Sequence, residues 1–191
     1  MLYDITCYSI VIVKGDAMKG AILEKGEDYY TYLQGIFASI NDVQKKYNWL
    51  ITDCECYPQN MEFEERIFQF EKYGWLSGEE LTDIIRTEDF QWIWGVLSGF
   101  NKDITLGEIL KYDLPYADGY SGFWKNPVSI QHPLAQIEIV PWDSSCTIII
   151  SKDDSTVEAF IKGYPLSIDL AMYNEFDDAE ELENWLKKNK T

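Results

Sequence analysis

The sequence holds a single histidine, His132, and only four cysteines in 191 residues. That scarcity removes most metal and nucleophile chemistry. A structural zinc site needs four ligands, usually as two closely spaced pairs. One close pair exists, Cys54 and Cys56 in "WLITDCECYP", and Cys7, Cys146 and His132 form no second pair. A redox dithiol is expected as Cys-x-x-Cys at a helix N-terminus, where the dipole favours the thiolate. Cys54 and Cys56 are instead flanked by Asp53 and Glu55, whose charges raise a thiol pKa. A cysteine nucleophile needs a base, normally histidine. His132 lies between Gln131 and Pro133, reads as an exposed loop residue, and could approach either thiol only through the fold. No catalytic residue, metal or cofactor is assigned on these grounds.

Phosphate-binding glycine patterns are missing as well. There is no G-x-x-x-x-G-K-[ST] and no G-x-G-x-x-G, and Ser121 in "GYSGF" does not fit the spacing of a nucleophile elbow. No apolar run approaches the 18 or so residues of a membrane span. The start, "MLYDITCYSIVIVKG", lacks a basic leader and a cleavage site, and Asp4 interrupts it. The cysteines therefore read as free thiols in a reducing cytoplasm. Positive charge is the last shortage, with 16 basic residues against 33 acidic ones and a formal charge of −17. Such a surface repels nucleic acid and anionic lipid and favours a basic protein partner. The plainer reading of the same charge is solubility.

What the chain does have is a core and a surplus of rings. Hydrophobic residues are 46% and aromatic ones 15%, with seven Trp and thirteen Tyr, more than a core needs. Alternation and β-branched runs predict strands at 2–13, from Tyr47 through Cys56, at 90–100, 135–142, 146–151 and 166–173. Strand 90–100 is apolar on both faces, with Phe90, Trp92, Trp94 and Val96 to one side, which predicts a central position. "DSS" (143–145) predicts a hairpin. Helices are expected at about 28–45, with Tyr29, Leu33, Ile36, Phe37 and Ile40 as its stripe, and over 61–73. Three Ser/Thr-x-x-Glu capping boxes, Ser77/Glu80, Thr105/Glu108 and Ser155/Glu158, predict helix starts. A last helix begins at Asp177 with Ala179, Leu182, Trp185 and Leu186 inward. Residues 112–133 hold three Pro, two Gly and five aromatics without a period, a long loop of the kind that is often functional. The order predicts an α+β or mixed α/β fold in one domain over 1–191, with helices on one mixed sheet of about six strands.

The acids are patterned too. Asp53 to Asp89 holds eleven acids against Arg66, Lys72 and Arg86, and six of the nine residues 175–183 are acidic. In the strand after Trp49, Asp53 and Glu55 share one face and Cys54 and Cys56 the other, so the thiols are expected in the core. Acids interleaved with rings make a docking surface in which aromatics anchor and charges steer. The candidate binding residues are Asp53, Glu55, Trp75, Glu79, Tyr120 and Trp124. A solvated face is the competing reading of each acid run.

"YYTYLQGIFASI", "YNWLITDCECY", "SGEELTDIIRTEDFQWIWGVLSGF", "DSSCTIIISKD" and "LAMYNEF" resemble, in order and spacing, a family of small uncharacterised cytoplasmic bacterial proteins. That resemblance implies a fold and carries no catalytic residues. In size and composition the chain also resembles the acidic, Trp-rich immunity proteins of bacterial polymorphic toxin systems. This likeness implies a non-enzymatic inhibitor of a basic toxin domain. The alternative is a small-molecule-binding protein or small hydrolase-like enzyme with a pocket near 112–133, using Trp124, His132 and Glu55.

Overall fold

In a computed structural model the described residues are 18–176 and 179–189. The expected strand at 2–13, Cys7, and the cap at Asp177 lie outside them, as do the side chains of Ala179 and Leu186.

The chain order is β1 (Lys19–Leu23), α1 (Leu33–Ser39), β2 (Tyr47–Cys56), α2 (Met61–Ile67), β3 (Tyr73–Ser77), α3 (Gly78–Thr87), β4 (Trp92–Asn101), α4 (Leu106–Ile109), β5 (Ile137–Trp142), β6 (Cys146–Ser151), α5 (Asp154–Gly163), β7 (Ile168–Asp169), α6 (Leu170–Tyr173) and α7 (Ala179–Asn189). One seven-stranded sheet runs in the order β3-β2-β4-β5-β6-β1-β7. Every neighbouring pair is antiparallel, which corrects the expected mixed sheet of about six strands. The α+β class stands.

Period-two alternation builds two cores. Ala21, Trp49, Ile51, Leu97, Ile139 and Ile149 face one side, where α1, α2, α3 and α5 lay Leu33, Ile67, Ile84 and Phe160 over them. Ile22, Leu50, Val96, Phe100, Val140 and Ile148 face the other. That second face is covered mostly by the 112–133 loop, through Ala117, Phe123, Val128 and Ile130, with Ile109, Leu170 and Leu182 from α4, α6 and α7. β4 is central, as its apolar faces predict. Phe90 and Trp92, however, join the helical side while Trp94 and Val96 turn to the loop side. Two register shifts against β2 lie here, and the one between Glu55 and Cys56 separates Trp94 from Trp92.

Local signals hold where they are strong. Ser77 and Glu80 form both halves of the capping box that opens α3. Thr105 likewise gives its backbone N–H and hydroxyl to Glu108, although Leu110 of that turn is exposed. The "DSS" hairpin joins β5 to β6, and Asp143 and Ser144 take positive φ in the turn. Other expectations need correction. Asp153, not Ser155, caps α5, by accepting from the Ser155 N–H, and Glu158 pairs with Lys19. The helix expected over 28–45 is α1 followed by a 3₁₀ turn at Val43–Lys46, and Tyr29 is exposed. The one over 61–73 stops at Ile67, and β3 follows. The strand expected at 166–173 is two residues of β7 and then α6, because Asp169 accepts from the Met172 N–H and starts a helix. Trp185, expected inward, is exposed at 41%. No helix among the described residues is long and apolar enough to cross a membrane.

Candidate functional site

β2 outruns its neighbour at one end. β3 pairs with it from Asn48 to Thr52 and begins only at Tyr73. Residues Asp53–Cys56 extend beyond, held on the β4 side through Glu55 and Cys56. The space β3 leaves empty is a groove of about 650 Å³. Its walls are the α2–β3 connection, with Phe68, Phe70 and Glu71, and the segment Leu114–Tyr116 with Asp118 of the long loop. Trp94 and Tyr73 complete it. Phe70 packs on Tyr73 with ring centroids 4.7 Å apart, yet Phe68 and Phe70 remain 40% and 42% exposed.

Asp53 fixes this shape. Its φ of 48° puts it in the left-handed region that Asp tolerates better than most residues. One carboxylate oxygen accepts the Ala117 N–H at 2.8 Å and the Asp118 N–H at 2.9 Å. The bulge and this latch together bring the loop to the end of β2. Glu55 is exposed and accepts from the Tyr57 hydroxyl at 2.9 Å. Cys54 is half-buried and Cys56 buried, both against the helical-side core, with the Cys54 thiol donating to the Cys56 sulfur at 3.7 Å and no disulfide between them. The Cys56 sulfur, then burial and the charges of Asp53 and Glu55, push the Cys54 thiol well above its ordinary pKa, so it stays protonated and weakly nucleophilic.

The other candidates lie apart from the groove. Trp75 is half-buried on the loop-side core, 6.2 Å from the Phe100 ring. Glu79 is exposed in the first turn of α3 and bonds Lys102 at 2.6 Å, which holds its carboxyl below the usual range. Tyr120 is half-buried between Tyr116 and Phe123, and burial raises its phenol pKa. Trp124 stacks edge-on to Trp142 at 5.0 Å and is also half-buried. Of the six candidates, then, the fold places Asp53 and Glu55 in one groove and leaves the rings as packing. Sequence reading passed over Trp94, Phe68, Phe70, Glu71, Tyr116 and Asp118. The signal available for the first stretch was "FQFEKYG", where apolar residues two apart end the helical stripe of α2.

His132 is corrected outright: it is 1% exposed. Its Nδ1 accepts the Leu134 N–H at 3.2 Å, and Nε2 stands 3.1 Å from the Ile109 carbonyl, to which it donates in the tautomer that satisfies both. Burial lowers its pKa, so the ring is neutral and structural. Behind it Glu138 is fully buried, accepting from the Gln131 and His132 N–H groups and the Ser98 hydroxyl. Burial raises its pKa to about 7. Among the described residues no cluster of three or more His, Cys, Asp or Glu is placed to hold a metal ion.

Residues 18–116 match the family described as "Protein of unknown function (DUF2691)". The chain belongs to that family. The span matched by DUF2691 takes in every residue lining the groove except Asp118. No curated protein and no solved structure matches the chain.

Proposed function

We propose that the chain is a non-enzymatic binding protein that takes a basic protein partner at this groove. The supporting observation is the groove's composition: Asp53, Glu55, Glu71 and Asp118 stand beside Phe68, Phe70, Tyr73, Trp94 and Tyr116, with Lys72 the one base of the lining among the described residues. Aromatic walls give a partner apolar contact, and carboxylates at the mouth raise its on-rate and exclude acidic competitors. The net charge of −17 extends the same preference over the whole surface. More specifically, the reading is an immunity-type inhibitor that acts in the bacterial cytoplasm on a basic toxin domain. Capture against the products of neighbouring genes, repeated at rising salt, tests it. A basic partner that is captured at low salt, released as salt rises, and lost on Glu71→Lys with Asp118→Lys supports the reading. Capture indifferent to salt and to both substitutions overturns it.

A second reading keeps the groove and changes the occupant. About 650 Å³ lies within the roughly 300–1,000 Å³ of small-molecule sites, so a cationic or aromatic metabolite is the alternative. A thermal shift with such compounds, abolished by Glu55→Lys, would favour it.

A further inference from the structure

We infer that the groove receives its partner as an extended basic segment, added as a short strand to β2 between Asp53 and Cys56. This rests on the proposed basic partner and specifies how it is held. Among the described residues, Asp53–Cys56 has a sheet neighbour on the β4 side alone, because β3 ends its pairing at Thr52. A main chain laid along that edge continues the line of β3 and meets β2 groups that no other described strand uses. The outer edge of β3 itself is less available, since the Gln69 side chain already donates to the Trp75 carbonyl at 2.6 Å.

Four residues of strand span about 13 Å at roughly 3.3 Å each. The positive φ of Asp53 and the register shift beside it stop the ladder from extending further toward Thr52. The added strand is therefore short, and its side chains must supply much of the affinity. Alternate residues of such a strand point to opposite sides, here towards Phe70 and Tyr73 or towards Tyr116.

Glu55, Glu71 and Asp118 make no ion pair among the described residues. With lysine or arginine at the positions on the Tyr116 side, the segment would pair with Asp118, its apolar positions on the other side would cover the exposed Phe68 and Phe70, and Glu55 and Glu71 would add to the attraction. A second copy of this chain is disfavoured on the same ground, because each copy carries −17.

The test uses the full chain and three synthetic octapeptides: alternating Lys–Val, the same peptide N-methylated at alternate valines, and a helix-forming Lys–Ala peptide of equal charge. Affinity is read from tryptophan fluorescence, and amide exchange is followed at residues 53–56. The alternating peptide should bind, slow exchange at those amides, and lose at least tenfold affinity on N-methylation and again with Glu71→Lys and Asp118→Lys. Equal affinity for all three peptides overturns strand addition and leaves the basic-partner reading standing. No affinity for any of them at low salt overturns both. Protected amides without peptide, together with a concentration-dependent dimer, give the edge to a second copy and overturn the proposal.

Discussion

Glu138 sits on β5 with no ion pair among the described residues, and burial moves its pKa from an ordinary 4.5 to about 7. The unfolded chain releases this proton near 4.5, whereas the fold keeps it until about 7. The stability due to this group is therefore complete below pH 4.5 and is lost as pH rises to about 7. Glu138→Gln removes the slope. Relative to the parent, the variant should gain up to about 3 kcal/mol between pH 4.5 and 7 in urea denaturation; a constant difference across that range would sink the assignment. His132 works in the opposite sense. Its neutral form is favoured in the fold, so its contribution is full above its ordinary 6.5 and is lost as pH falls below that value. Asp53 is the other residue with a definite task. Asp53→Ala removes the acceptor for two loop N–H groups and should cost about 1–2 kcal/mol, less than a buried pair because the carboxylate is exposed. Faster amide exchange at Ala117 and Asp118 is the accompanying signature, and unchanged exchange there would count against the latch. The sequence showed Asp53 as an acid on a strand. It did not show that the carboxylate faces backbone 64 residues away, because that contact exists only once the loop has folded over the sheet.

At the scale of elements, the groove depends on how closely α2 approaches β3. Gly74 permits it: a Cβ there would lie 2.1 Å from the Ile67 carbonyl oxygen, inside contact distance with backbone that cannot swing aside. Gly74→Ala should therefore cost about 2 kcal/mol or more and displace the end of α2. The measurement is thermal unfolding, paired with peptide affinity at the groove. A stable variant with unaltered affinity would mean that the α2–β3 approach does not shape the site. The elements that could be read from sequence were those with a long period or a reciprocal cap, such as α3 with Ser77 and Glu80 and β2 with ten residues. β1 and β3 are five residues each, too short for alternation to stand out, and β7 is two. These strands exist because neighbours complete their hydrogen bonds, which is a non-local condition.

For the whole molecule the dominant fact is charge. Ion pairs such as Lys19 with Asp154 and Glu158 or Arg66 with Glu80 offset only part of an excess of 33 acidic over 16 basic residues. Self-repulsion should outweigh these exposed pairs, which solvent screens. Raising salt from 10 to 300 mM, which shortens the screening length from roughly 30 Å to under 10 Å, should therefore raise the melting temperature. A fall would show that the pairs matter more than the excess. The same change should weaken binding of a basic partner, so stability and affinity are expected to move in opposite directions with salt.

By itself the sequence determined the class of surface, a sheet with helices packed on it, the central place of β4, the hairpin at 143–145 and the burial of Cys56 in the core. All of these follow from charge count, period and short-range hydrogen bonding, which act within a few residues. Tertiary structure alone decided that the sheet is antiparallel throughout, that His132 is buried, and that the 112–133 loop forms half the cover of the core. It also decided that Asp53 and Glu55 share a groove with Phe70 and Tyr116 while Trp75, Glu79 and Trp124 stand elsewhere. The physical reason is a pair of register shifts between β2 and β4 and a strand, β3, that stops short of its neighbour. Both are outcomes of pairing between segments distant in the chain, and only the folded sheet makes the space between them.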